Sequence, residues 1–312
     1  MLLNEKDVFD MLICPKSGLQ LVRVGEKFIS KNPSGDIFYE TLNGYPILID
    51  FNESVLSRED IAISNSVVTR YSYQGLIGAL KKAVSPPKKA TARNVSLIFE
   101  ELDQVTDSPK VLVVGGGTVG QGMERFYTAP HIELISFDIY ASPNVQFLAD
   151  AHNIPLPSQC FDAVIVQAVL EHVLEPQKVV SEIYRVLKPH GIVYAETPFL
   201  QHVHEGAYDF TRFTESGHRY LFKCFKLIQS GSSAGAGTQL VWSLDNFFRG
   251  IFRSRNAGKF VKLCCFWIQY LDDLIPESYN IDAASGVFFL GRKSSTQTSK
   301  KTIISHYKGA QK

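Results

Sequence analysis

Apolar positions recur along the chain with two different rhythms. Residues 1–51 carry the short runs LQLVRV, KFISK, DIFYE and YPILIDF, separated by Gly18, Gly25, Asn32-Pro33-Ser34-Gly35 and Asn43-Gly44. Short β-branched and aromatic runs punctuated by turn residues predict a small β-rich module. From Pro109 the rhythm changes: VLVVG, LISFDIY, FDAVIVQ and IVYAETP are each succeeded by a helical or loop segment, and this alternation predicts a mostly parallel sheet with helices on both faces. Between Gln177 and Leu187, Val179, Val180, Ile183, Val186 and Leu187 fall at helical spacing and Pro189-His190-Gly191 ends the helix, so that stripe is core. Residues 240–280 read as two inserted helices before a last strand from Ser285 to Arg292.

The chain then divides into a β-rich module at 1–51, a linker or helical segment at 52–91, a main α/β domain at 92–293 holding the 240–280 insert, and a Ser/Thr/Lys-rich tail at 294–312 expected to be disordered. In the linker, Lys81, Lys82, Lys88 and Lys89 flank Pro86-Pro87. They read as a solvated face; the sharper alternative is a contact for phosphate or anionic lipid.

Composition narrows the function classes. With 45% hydrophobic and 20% charged residues the chain can build a packed core, and a formal net charge of +1 gives no global argument for nucleic acid or acidic partners, leaving only local clusters to speak for them. Cys14, Cys160, Cys224, Cys264 and Cys265 form no CxxC pair, so neither a disulfide framework nor a zinc site is expected. MLLNEKDVFDML lacks the pattern of a secretory signal and no apolar run is long enough to span a bilayer, which makes a cytoplasmic location the expectation.

The chemistry concentrates in VLVVGGGTVGQGM, where Gly115, Gly117 and Gly120 come directly after a buried strand and are expected to open a helix. Glycines there allow a tight turn and let backbone N–H groups approach a ligand closely. Asp138 ends the next strand, where a carboxylate can accept hydrogen bonds from both ribose hydroxyls. Together these suit an adenosine-type cofactor and fit a nicotinamide dehydrogenase or a methyltransferase.

The stretch after Phe147 separates the two. LADAHNIPLPSQCFDAVIVQAVLEHVLEPQKVVSEIYRVLKPHGIVYAETP resembles the middle of a class I methyltransferase of the methyltransferase type 11 kind, a likeness covering residues 109–230. The resemblance implies a Rossmann-like seven-stranded sheet with an antiparallel last strand, and S-adenosyl-L-methionine as cofactor. It also implies that Asp150, with Ala151 beside it, meets the adenine amino group and that Gln167 lines the methionine moiety. Glu171-His172 stands where many members carry the same dipeptide. One departure is Val113, where the family usually has an acidic residue that positions the methionine end. A non-catalytic partner protein that keeps the fold is the alternative of a different class, and the nicotinamide dehydrogenase is the rival enzyme.

Methyl transfer needs alignment more than covalent help. The segment PFLQHVHEGAYDFTRFTESGHRY, just after the fifth strand of this domain, supplies His204 as the first candidate base, His202 as the second and Arg212 as a clamp for a carboxylate or phosphate. His172, from the earlier dipeptide, is a further catalytic candidate. His202 and His204 beside Glu205 also fit a divalent-cation site, with ordinary loop hydrogen bonding as the plainer reading. The same region resembles methyltransferases of polysaccharide or sugar modification, which implies a small-molecule or glycan substrate and methylation at oxygen.

Two peripheral features remain. ICPKSGLQLV and NGYPILIDF resemble the small zinc-ribbon domain that partners some methyltransferases, but Ser17 stands where the second cysteine of a CxxC would be, so zinc is not expected. Residues 247–268 interleave Arg249, Arg253, Arg255, Lys259 and Lys262 with Phe247, Phe248, Phe252, Phe260, Phe266 and Trp267. A lid over the substrate pocket, a peripheral membrane contact and, least of the three, a nucleic-acid contact are the readings.

Overall fold

The computed structural model describes residues 1–63 and 88–311. Lys81, Lys82 and Pro86-Pro87 of the expected linker lie outside the described residues. In chain order the elements are α1 (Glu5–Phe9), β1 (Leu21–Val24), β2 (Lys27–Ser30), β3 (Ile37–Tyr39), β4 (Thr41–Leu42), β5 (Tyr45–Leu48), α2 (Arg58–Ile63) and α3 (Lys89–Asp103). Next come β6 (Lys110–Val114), α4 (Glu124–Thr128), β7 (Glu133–Asp138), β8 (Phe147–Ala149), β9 (Phe161–Gln167), α5 (Pro176–Val186), β10 (Leu187–Pro198), α6 (Glu215–Leu221) and β11 (Phe225–Ala234). The last are α7 (Ala236–Phe252), α8 (Arg255–Cys265), α9 (Glu277–Asp282), β12 (Gly286–Lys293) and α10 (Lys300–Ser305).

The seven strands from β6 to β12 lie in the order β11-β12-β10-β9-β6-β7-β8. β6 to β10 pair in parallel, and β12 runs antiparallel between β10 and β11, so the expected seven-stranded Rossmann-like sheet with its antiparallel last strand is what forms. Central strands buried on both faces send alternate side chains to opposite layers. Leu112, Val114, Val164, Val166, Val193 and Ala195 enter one core cluster, while Val111, Val113, Ala163, Ile165, Ile192 and Tyr194 enter the other. Helix α5 closes the first layer and α3 the second.

Residues 1–51 are continuous with this domain. β5 pairs in parallel with β8 through Ile47 and Leu148, β4 continues the sheet beyond it, and Val8, Phe9, Leu12 and Phe28 share a core cluster with Leu112 and Val164. β1 to β3 form a separate three-stranded antiparallel sheet. At the corner where the zinc-ribbon likeness would look for ligands, side chains bond one another: Cys14 Sγ lies 3.2 Å from the Tyr39 hydroxyl, the Ser17 N–H donates to Cys14 Sγ at 3.4 Å, and the Ser17 and Ser30 hydroxyls meet at 3.1 Å.

The tail departs from expectation. The segment read as disordered includes α10, whose Ile303 is buried. The Ile303 carbonyl accepts from Arg219 at 3.1 Å and the Tyr307 hydroxyl donates to Asp282 at 2.6 Å. A polar composition hides the segment because its order comes from contacts with α6 and α9 rather than from its own propensity. The insert holds the two expected helices, α7 and α8, and after them a 3₁₀ segment at Phe266–Asp273 and α9. Asp272 accepts the N–H groups of Gly235 and Gly237 at 3.0 and 2.6 Å, which satisfies donors that the first turn of α7 would otherwise leave open.

Candidate active site

Ligands in open α/β sheets bind outside the carboxyl ends of the strands, and here the loops after β6 and β9 converge. Gly115 has φ +73°, and a Cβ there would collide with Val169; a Cβ on Gly120 would fall on the Gln167 side-chain oxygen. The two loops therefore touch at distances only glycine permits. Ala168, between Gln167 and Val169, is itself left-handed at φ 55°, and its N–H donates to the Glu196 carbonyl at 3.0 Å. This turn projects a short 3₁₀ segment, Leu170–His172, toward a cavity of about 400 Å³.

Of the residues singled out from the sequence, Gly115, Gly120, Asp138, Asp150, Ala151 and Gln167 line this cavity, as do His172 and His204. Gly117 is not among its lining residues but donates its N–H to Asp138 Oδ2 at 2.8 Å, while Asp138 Oδ1 accepts from Ile139 N–H at 2.7 Å. The carboxylate thus ties the glycine loop to the end of β7. Asp150 accepts from the His152 N–H at 2.9 Å and lies 2.6 Å from His152 Nδ1; the Ser54 hydroxyl also donates to it. Burial opposes its charge, but the bonds from His152 and Ser54 outweigh that and hold the Asp150 carboxyl below its usual range.

Two expected residues, His202 and Arg212, do not line the cavity. His202 is exposed, and its carbonyl accepts from Arg212 at 3.0 Å. The Arg212 guanidinium donates to the carbonyls of Gln201, His202 and Thr211 and to both oxygens of Asp209. With its five N–H groups engaged, Arg212 braces the loop and has none left to clamp a substrate. No residue of the insert lines the cavity either, so the lid expected of 240–280 does not cover this pocket.

A buried polar centre behind Gln167 escapes the sequence reading. Glu196 takes a hydrogen bond from Gln167 Nε2 at 2.8 Å, pairs with Lys88 Nζ at 3.1 Å, and accepts from the Thr91 and Tyr194 hydroxyls. Burial disfavours its charge, yet Lys88 and these donors hold it below the usual carboxylate range. A charged residue inside the apolar run IVYAETP is the signal that could have found it. Gln167 Oε1, in contrast, is buried without a hydrogen-bond partner among the described residues.

Glu171 reads in the sequence only as half of a dipeptide. It is 1% exposed, and burial pushes its carboxyl up to about 8. His172 Nδ1 lies 2.7 Å from the Tyr208 carbonyl, and burial lowers the pKa of its ring. His204 Nδ1 stands 3.2 Å from Asp209 Oδ2. Burial works against the charge of Asp209, but the Arg212 fork prevails and keeps that carboxyl well below its ordinary value.

Residues 129–195 match the family model described as a methyltransferase domain. The matched segment runs from the approach to β7 through most of β10, and the strand order of the sheet is that of a Rossmann-like α/β fold. No curated protein matches the sequence. Among solved structures the chain is similar to the [4+2]-cyclase SpnF, with 19% identity over 66% of this chain and 81% of that one and a TM-score of 0.40. It is similar to the phosphoethanolamine N-methyltransferase 2 of Haemonchus contortus in complex with S-adenosyl-L-methionine, with 16% identity over 68% and 54% of the two chains and a TM-score of 0.43. Coclaurine N-methyltransferase bound to N-methylheliamine and S-adenosylhomocysteine gives 15% identity, 65% and 70% coverage and a TM-score of 0.39.

Proposed function

We propose that this chain is an S-adenosyl-L-methionine-dependent methyltransferase acting on a small molecule or glycan, at oxygen. The observation that carries the reading is the single cavity wall shared by the glycine loop, Asp138, Asp150 and Gln167 at the carboxyl ends of β6 to β9. When bound, the sulfonium cofactor supplies an activated methyl group. Asp138, already fixed by two backbone N–H groups, accepts from the ribose hydroxyls, and Asp150 with Ala151 faces the adenine. Gln167 Oε1, a buried acceptor without a partner among the described residues, suits the α-ammonium of the methionine end. It would stand in for the acidic residue the family usually has at Val113, which here packs into the core below α3; Glu196 fixes the amide's orientation from behind. His204, which lines the cavity, is the side chain we assign to take the acceptor proton.

Calorimetric titration with S-adenosylmethionine and S-adenosylhomocysteine, run beside Asp138→Ala, tests the assignment. Micromolar binding that the variant loses supports it. No binding to the unaltered chain replaces it with the non-catalytic partner reading, which Val113 favours.

A further inference from the structure

Glu171, His172 and His204 bring one ligating atom each to within 4.8 Å of one another. They come from two separate segments, the 3₁₀ turn after β9 and the loop after β10. The two rings meet edge to face with centroids 5.0 Å apart. Each ring has its Nδ1 occupied from behind, His172 by the Tyr208 carbonyl at 2.7 Å and His204 by Asp209 at 3.2 Å. A carbonyl and a carboxylate can only accept, so Nδ1 of each ring is the donor, which leaves Nε2 as the nitrogen able to ligate. Imidazoles that ligate metals are held in this way, with the other ring N–H given to a carbonyl or carboxylate. The Asp209 that orients His204 is in turn held by the Arg212 fork.

The third member supplies the independent sign. Glu171 is 1% exposed, and neither carboxylate oxygen has a hydrogen-bond partner among the described residues. His172 Nε2 stands 3.7 Å from its Oε1, beyond hydrogen-bond reach. An isolated buried carboxylate is strongly unfavourable, so such a group takes up a proton or meets a cation. Here two imidazoles each bring a ring nitrogen to within 4.8 Å of that carboxylate, a grouping that a proton alone leaves unexplained.

We propose that Glu171, His172 and His204 form a binding site for one divalent transition-metal ion in the cavity wall. Two imidazoles and one carboxylate suit zinc, manganese, iron or cobalt and leave coordination positions open, and these face the cavity because His172 and His204 line it. The ion's role rests on the methyltransferase reading: with the His204 lone pair on the metal, the ion would replace that ring in activating the acceptor, binding its oxygen and lowering the pKa of a proton that then passes to solvent.

The test is titration of the chelator-treated full chain with Co²⁺, read by calorimetry and visible absorption. The expected result is one ion per chain, with affinity weakened at least tenfold in Glu171→Gln and in His204→Ala and unchanged in His202→Ala. His204→Ala alters only a loop side chain, so it keeps the test decisive if Glu171→Gln fails to fold. Absence of saturable binding, or affinity untouched by both variants, overturns the site. S-adenosylhomocysteine titration of the same metal-free chain separates the two claims: cofactor binding without Co²⁺ binding removes the metal site alone, and Co²⁺ binding without cofactor binding removes the methyltransferase reading while leaving the site.

Discussion

At the scale of single residues, the site depends on close approach and on where polar atoms are left unpaired. A Cβ at Gly120 would fall on the Gln167 amide, which Glu196 holds from the other side. Gly120→Ala should therefore weaken S-adenosylhomocysteine binding at least tenfold, while the thermal midpoint moves by no more than a few degrees. Equal losses in binding and in fold would mean the glycine serves the turn rather than the ligand. His218 poses a different question. It lies fully buried in α6 against Phe213, Phe222 and Phe289, with neither ring nitrogen hydrogen-bonded among the described residues. Burial drives its pKa down to about 3. The unfolded value near 6.5 is higher, so the unfolded chain takes up a proton that the folded chain refuses. Its contribution is intact above pH ~6.5 and is lost as the pH falls below that, by at most about 1.4 kcal/mol per pH unit. Urea midpoints of the parent and of His218→Leu, measured from pH 7 to pH 4, should diverge with the variant less acid-sensitive; parallel curves would refute the account.

At the scale of elements, α10 is the least independent piece. Six residues cannot hold a helix alone, so it persists through Ile303, the Arg219 bond to the Ile303 carbonyl, and the Tyr307 bond to Asp282. Ile303→Ala should cost about 2 kcal/mol of docking energy, which corresponds to about 30-fold faster proteolytic cleavage near the tail when opening precedes cutting. An unchanged cleavage rate would show that Ile303 does not hold the segment. The same dependence on tertiary contacts explains which elements are legible in the sequence. β6, β9 and β10 are, because strands covered on both faces become continuous apolar runs. The glycine loop and Asp138 are, because their spacing is local. The continuity of residues 1–51 with the main sheet is not: YPILIDF announces a strand but not the edge it joins. Nor is the fate of Arg212, since whether a guanidinium is free depends on how the loop folds around it. Glu171 is visible as part of a dipeptide, and only its burial gives it meaning.

At the scale of the whole molecule, the insert leaves an apolar surface uncovered. Phe247, Phe252, Phe260 and Trp267 on α7, α8 and the 3₁₀ segment are each more than half exposed, and Phe248 links the first two rings. Arg253 and Lys259, next to Phe252 and Phe260 in sequence, are exposed as well. No helix among the described residues is long and apolar enough to cross a membrane. An amphipathic basic surface of this kind instead suits the interface of an anionic bilayer, with rings in the headgroup region and cations toward lipid phosphate. The chain as a whole carries a formal charge of only +1, so any electrostatic attraction must come from local clusters such as this one. Cosedimentation should therefore be stronger with vesicles containing anionic phospholipid than with neutral ones, and should weaken as salt screens the cations. Replacing Phe252, Phe260 and Trp267 together by serine should reduce vesicle binding at least fivefold without lowering the thermal midpoint, because exposed rings contribute little to the folded core. Retained monomer without vesicle binding would leave the surface without a membrane role, and concentration-dependent dimers that the triple variant abolishes would assign the face to a second copy of the chain. Vesicle binding, by contrast, would put the cavity within reach of lipid-linked acceptors, because the insert leaves the sheet where Ala234 pairs with Gly286, the end at which Pro198 closes β10, and the cavity opens at that same end.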